Sequence, residues 1–94
     1  MRRIRDAVLE CRYIVTPHAW MEMREDDLIV ADIESALLGG RIAEEYRDDP
    51  RGTRYRVLGI ATDLDTPVAV VVRFVVEGQL LVITTFVPKA DAET

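Results

Sequence analysis

The chain is poor in the residues most used for metal and redox chemistry, with one cysteine and one histidine in 94 positions. A lone Cys11 excludes an internal disulfide framework and makes a reducing cytoplasm the expected compartment. No metal is expected either, because His18 and Glu22 at i and i+4 would give an ion two ligands from one helix, short of a site. Long apolar runs are missing as well. The longest, Val68 to Val72, has the length of a strand, whereas a membrane span needs roughly 18 residues. No apolar run opens the chain as a secretion signal would, so no membrane association is expected. Basic charge is in deficit: 12 Lys and Arg against 17 Asp and Glu leave a net charge of −5. That excludes coating nucleic acid through bulk charge and leaves only a local basic patch for such a contact. There is no Gly-rich phosphate loop, no G-x-S-x-G elbow and no paired-cysteine zinc spacing, and no cofactor is expected.

What is present fits one soluble globular domain spanning 1–94, since 49% hydrophobic and 31% charged residues are ordinary values for that class. The stretch Ile14 to Leu28, IVTPHAWMEMREDDL, organises the first half. Thr16 is a helix N-cap, Pro17 suits the first helical position, and His18 follows at the helix mouth. Unpaired backbone N–H groups there suit an anion and favour a neutral imidazole, which makes His18 the first candidate for chemistry. The alternative is a histidine that pins the chain entry by a hydrogen bond. Before this stretch, Met1 to Cys11 has a helical pattern with Ile4, Val8 and Cys11 near one stripe and Arg2, Arg3, Arg5 and Arg12 around it. It reads as a docked amphipathic helix or as a basic arm for RNA or an acidic partner. Tyr13 to Val15 is a short edge strand or an extended linker. The helix after Pro17 places Ala19, Trp20 and Met23 inward, and Val30 to Leu38 forms another helix with Val30, Ile33, Ala36, Leu37 and Leu38 inward. Gly39-Gly40 is expected to close it as a C-terminal glycine cap.

After Gly40 the period changes to two. Four strands are expected at Arg41 to Tyr46, Thr53 to Thr62, Val68 to Val76 and Leu80 to Val87, joined by short turns into an antiparallel meander, with a polar tail over 89–94. The fold class is therefore α+β: two or three helices over 1–40 packed on one face of a four-stranded antiparallel sheet over 41–88. A hairpin centred on Glu77-Gly78 puts Arg73 opposite Val82, and a symmetric turn after the second strand puts Arg56 opposite Arg73. One face then collects Tyr55, Val57, Val70, Val72, Phe74, Leu81, Ile83 and Thr85, and is expected to lie under the helices. The other collects Arg54, Arg56, Arg73, Thr84 and Phe86, with Glu45 across from Arg54. Like charges opposite one another call for an anion between them, or for pairing with Glu44, Glu45 or Glu77.

The order PHA-x3-M, a helix ending in GG, then RYRVLG, PVAVVVRF and LLVITTF resembles the bacterial family known as domain of unknown function 4258, over roughly Ile4 to Pro88. His18, Ala19, Met23 and Glu25 match its helix motif. Glu22 and Asp26 replace frequent arginines, Asp27 a frequent glycine, Phe86 a frequent tyrosine, and Ala69 a histidine of some members. The resemblance implies a fold similar to the RelE/ParE toxins, whose members cut messenger RNA or poison gyrase. It also implies a partner of the zinc-finger antitoxin type. In RelE-like ribonucleases, arginines and a tyrosine on the open sheet face handle the phosphate and the 2′-hydroxyl. By that likeness His18 would carry the proton and Arg56 and Arg73 would hold the scissile phosphate, with Arg54, Thr84 and Phe86 contacting substrate.

Three readings follow. The first is the toxin half of a toxin–antitoxin pair, a small endoribonuclease or translation inhibitor acting on RNA or the ribosome. The second is a non-catalytic protein-binding module of the same fold, and the third and weakest is a metal-dependent hydrolase. The edge of the first or last strand of the meander would accept a partner strand, including that of a second copy.

Overall fold

The computed structural model describes residues 1–88; the expected polar tail, 89–94, lies outside the described residues. Three helices, α1 (Arg2–Leu9), α2 (Pro17–Glu25) and α3 (Val30–Gly39), pack against one five-stranded sheet. The strands are β1 (Tyr13–Val15), β2 (Arg41–Tyr46), β3 (Arg54–Ile60), β4 (Pro67–Phe74) and β5 (Leu80–Phe86). Their order is β1-β5-β4-β3-β2. The expected antiparallel meander is β2 to β5, but the sheet is mixed because β1 adds parallel to β5, with Tyr13, Ile14 and Val15 paired to Leu80, Leu81 and Val82. Two β-branched residues suit that edge position, and the Tyr13 hydroxyl anchors it by donating to the Glu34 carboxylate of α3. Burial and that carboxylate push the Tyr13 pKa up to about 12.

One core joins all layers. Ile4, Ala7 and Val8 of α1, Ala19 and Met23 of α2, and Ile33, Ala36 and Leu37 of α3 meet Val57, Val70, Val72, Leu80 and Val82 of the sheet. Trp20, expected inward, is 45% exposed, one position off the stripe set by Ala19 and Met23. Cys11 is exposed too, since α1 ends at Leu9 and leaves it in the following turn. The helix after Pro17 begins as expected, with the Thr16 hydroxyl oxygen accepting from the Ala19 N–H at 3.1 Å. Of the basic residues near α1, Arg5 caps α3 by donating to the carbonyls of Leu38 and Gly40 at 2.9 and 3.1 Å. Arg12 donates to the Gly78 carbonyl at 2.6 Å, and Arg3 lies over the Phe74 ring. Those contacts are the docked-helix reading.

Each register differs from expectation for a local reason. The β3–β4 turn is a four-residue loop closed by Ala61 and Thr66, with the Asp63 carboxylate accepting from the N–H groups of Asp65 and Thr66. It places Arg54, not Arg56, opposite Arg73. That is a shift of two residues, which preserves the faces. The β4–β5 turn runs over Val76–Gly78 with Glu77 and Gly78 at positive φ, so Arg73 pairs with Leu81 rather than Val82. Leu80 and Val82 therefore enter the core in place of Leu81 and Ile83. An irregularity between Val71 and Val72 then restores the expected pairing of Val71 with Thr84 and of Ala69 with Phe86. On the other side, a bulge between Ile42 and Glu44 sets Tyr46 against Arg54 and Glu44 against Arg56, while Glu45 pairs with Tyr55.

Gly40 is not a left-handed helix cap: its backbone is extended, with φ −87° and ψ −170°. Close approach is what needs glycine. A Cβ on Gly40 would lie 2.4 Å from the Ala36 carbonyl oxygen, and one on Gly59 only 2.3 Å from the same atom and 2.6 Å from the Ala36 Cα. Thus α3 sits backbone to backbone on β3. The start of α3 is tied down by Asp32, which accepts from the N–H groups of Ile29 and Thr62 at 3.0 Å each and from the Thr62 hydroxyl. Gly59→Ala is expected to cost ~1–3 kcal/mol through overpacking. Gly39→Ala, which meets nothing within 4 Å, is expected to be neutral or mildly stabilising in the same urea melts. Equal stabilities for the two variants would contradict this packing.

Candidate functional site

Strand alternation sends Arg54, Arg56 and Arg73 to the same face of the sheet, opposite the one that carries Val57, Val70 and Val72. The pairings lay this face out in rows: Tyr46, Arg54, Arg73 and Leu81; then Glu44, Arg56, Val71 and Thr84; then Leu58, Ala69 and Phe86. Two arginines in direct register repel, so this pair needs a counter-charge. The β2–β3 hairpin supplies it. Asp49 Oδ2 lies 3.1 Å from Arg54 Nε and 3.8 Å from Arg73 Nη1, while Asp49 Oδ1 lies 3.2 Å from Arg51 Nε. The Asp49 side chain is 6% exposed and that of Arg73 is 11% exposed. The same carboxylate accepts from the Arg51 N–H at 2.9 Å, and Gly52 turns the chain back at φ +123°. In this cluster two buried donors have no hydrogen-bond partner: Arg73 Nε, and Arg54 Nε, which is close to Asp49 without meeting hydrogen-bond geometry.

Arg56 belongs to a different pairing. Its Nη2 donates to Glu44 Oε1 at 3.0 Å, and the Tyr46 hydroxyl donates to the same oxygen at 2.8 Å. The Tyr46 ring also lies 4.9 Å below the Arg54 guanidinium. The Tyr46 hydroxyl and then Arg56 hold the Glu44 carboxyl below its ordinary range, and Glu44 in turn raises the Arg56 pKa. Asp49 is also held low, first by the Arg51 N–H, then by the Arg51 side chain, and further by the charges of Arg51 and Arg54.

His18 stands apart from the arginines. It is 68% exposed at the outer edge of β5, with Nε2 3.3 Å from Glu22 Oε2. Glu22 Oε1 accepts from the Thr84 hydroxyl and from the Thr85 N–H, the latter at 3.0 Å, and Asp26 Oδ2 accepts from the Val87 N–H at 3.3 Å. Beyond its short pairing with β1, β5 would present unpaired donors, and these two acids, Glu22 of α2 and Asp26 at its C-terminal cap, close that edge. Thr84 and Arg56 are separated by β4, about 10 Å at ordinary strand spacing, and Arg56 leans the other way toward β2. Phe86, 37% exposed, lies one row further on, opposite Ala69.

Five of the six candidate residues thus fall into three groups: Arg54 and Arg73 with Asp49, Arg56 with Glu44 and Tyr46, and His18 and Thr84 with Glu22; Phe86 joins none of them. Glu44 is one of the acids expected to pair with the arginines, and it pairs with Arg56; Asp49, Arg51 and Tyr46 are not singled out by the sequence. Alternation in β2 carried the signal for Glu44 and Tyr46 once the bulge is counted, whereas Asp-Asp-Pro-Arg-Gly reads only as a polar turn. Among the described residues, no group of three or more His, Cys, Asp or Glu is placed to hold a metal ion. None of the described helices is long and apolar enough to cross a membrane.

Residues 15–87 match the family described as domain of unknown function (DUF4258). The chain belongs to the DUF4258 family. No curated protein and no solved structure matches it. In this DUF4258 chain, Glu22 and Asp26 have a structural task at the β5 edge.

The depressed Asp49 carboxyl contributes stability that is fully present above its unfolded value of about 4. That contribution is lost as pH falls through the lower folded value. Urea melts stepped from about pH 6 to pH 2 are expected to show a shallower acid loss for Asp49→Asn than for the wild type. Identical slopes would show that Asp49 is not held by these neighbours.

Proposed function

We propose that this DUF4258 chain is the toxin half of a toxin–antitoxin pair, with a fold of the RelE/ParE kind, and that it inhibits translation by gripping RNA phosphates on its arginine face. The single observation that carries this is the direct register of Arg54 with Arg73, one row from Arg56, on the sheet face away from the main core. Guanidinium forks match phosphate oxygens in pairs, and a local patch of this kind is the route open to a chain of net charge −5. Gripping is favoured over cutting. The imidazole of His18 is outside the arginine groups, so it is not the proton carrier for a phosphate held there. The titratable groups beside that phosphate are the Asp49 and Glu44 carboxylates and the Tyr46 hydroxyl, each already engaged with an arginine or with one another. An antitoxin protein is the neutralising partner in this reading.

The second reading, a protein-binding module without catalysis, is favoured by a specific observation: each of the three arginines already faces a carboxylate. A partner strand would use β2, which forms one outer edge of the sheet, rather than β5, whose outer side is taken by β1 and the acids of α2.

Purified protein added to a cell-free translation reaction discriminates the two. The wild type is expected to inhibit, more weakly as salt rises. Arg73→Gln and Arg54→Gln are each expected to lose roughly tenfold or more in potency, the worth of a charge-assisted hydrogen bond. His18→Ala is expected to retain potency. A folded wild type that inhibits nothing would contradict the toxin reading, and inhibition untouched by both arginine variants would remove the assigned face.

A further inference from the structure

The Asp49 carboxylate sits where an anion should. Three guanidinium groups, those of Arg51, Arg54 and Arg73, are arranged around this one carboxylate. The match is incomplete. Arg73 reaches Asp49 only at 3.8 Å, and the buried Nε atoms of Arg54 and Arg73 have no hydrogen-bond acceptor. A buried donor left unmade costs the desolvation of that group, and Asp49 alone does not satisfy these two. A phosphate group brings further oxygens to such donors: at least three charged ones in a free phosphate, and two charged with two bridging ones in a strand diester. Beside the cluster the hairpin encloses an open concavity of ≈ 630 Å³, bordered by Tyr46, Arg47, Pro50, Arg51 and Arg54. The Asp49 segment is a hairpin tip rather than a packed strand, and it turns at Gly52 with φ +123°.

We infer that Arg51, Arg54 and Arg73 form a phosphate seat that the chain keeps closed with its own Asp49, which a phosphate group displaces on binding. This rests on the arginine face being the phosphate-holding face, and it adds a built-in competitor. Asp49 fills the seat in the free protein, suppresses repulsion between Arg54 and Arg73, and lowers affinity for stray anions. The shared ligand chemistry is a phosphate oxyanion, from a free phosphate group or from the backbone of an RNA strand.

The test titrates inorganic phosphate and, separately, a short single-stranded RNA into wild type, Asp49→Asn, and Asp49→Asn combined with Arg73→Gln. Affinity is read by calorimetry, and the arginine Nε–H resonances by nitrogen-15 NMR. Asp49→Asn is expected to bind at least about tenfold more tightly than wild type, as for a seat open in a tenth or less of wild-type molecules. The Arg54 and Arg73 resonances are expected to shift, and the gain to vanish in the double variant. Should Arg73→Gln fail to fold, Arg51→Gln, whose parent side chain is 73% exposed, takes its place. A gain with both probes assigns a simple phosphate group as sufficient, and a gain with RNA alone assigns the seat to strand diesters; both support the inference. No gain with either probe, or a gain that persists without the arginine, overturns it. A gain accompanied by no translational inhibition would remove the toxin reading and keep the seat. Inhibition abolished by Arg73→Gln with no gain in Asp49→Asn would do the reverse.

Discussion

Two arginines meet in register on neighbouring strands, and the carboxylate of Asp49 is what makes that meeting tolerable. Arg54 and Arg73 are fixed on the same face by strand pairing, not by attraction to each other. Without a counter-charge their repulsion would weaken the pairing of β3 with β4. The hairpin between β2 and β3 folds its acid over them, and its backbone turn, its charge and the burial of Arg73 all follow from that one placement. The chemistry proposed for this face rests on the same feature, because groups that hold a carboxylate in this way are groups that hold phosphate.

Much of this arrangement was legible in the residues. Alternation together with the turn registers puts Arg54, Arg56, Arg73, Thr84 and Phe86 on one face, and the structure has them there. The β3–β4 turn lies two residues from a symmetric one, and a two-residue shift leaves every side chain on its own face. The one-residue error at the Val76–Gly78 turn was not harmless: it exchanged Leu80 and Val82 for Leu81 and Ile83 in the core. The bulge further along β5 undid it, which is why Thr84 and Phe86 still fell as expected. Bulges and left-handed turn residues such as Glu77 carry no reliable mark in a hydrophobic pattern, so register errors concentrate there.

The acids were harder to place. Asp49 belongs to a stretch whose composition says only that the chain turns, and its partners come from β3, β4 and the loop itself. In the sequence, Glu22 and Asp26 read only as negative charge on a helix. In the fold they answer a local need: β5 runs beyond β1, and its Thr85 and Val87 N–H groups need acceptors. Tyr13 to Val15 reads equally as strand or linker, because the parallel pairing of β1 with β5 is a long-range contact that no local pattern encodes.

A double-mutant cycle on Asp49 and Arg73 tests the central claim most directly, using urea stabilities of Asp49→Asn, Arg73→Gln and the combined variant at neutral pH. If Asp49 neutralises the arginine pair, Asp49→Asn leaves Arg54 and Arg73 facing one another without a counter-charge, Arg73→Gln removes that repulsion, and the combined variant loses less stability than the two singles together. Strict additivity would mean the two side chains do not depend on each other, and the account of this face would fail.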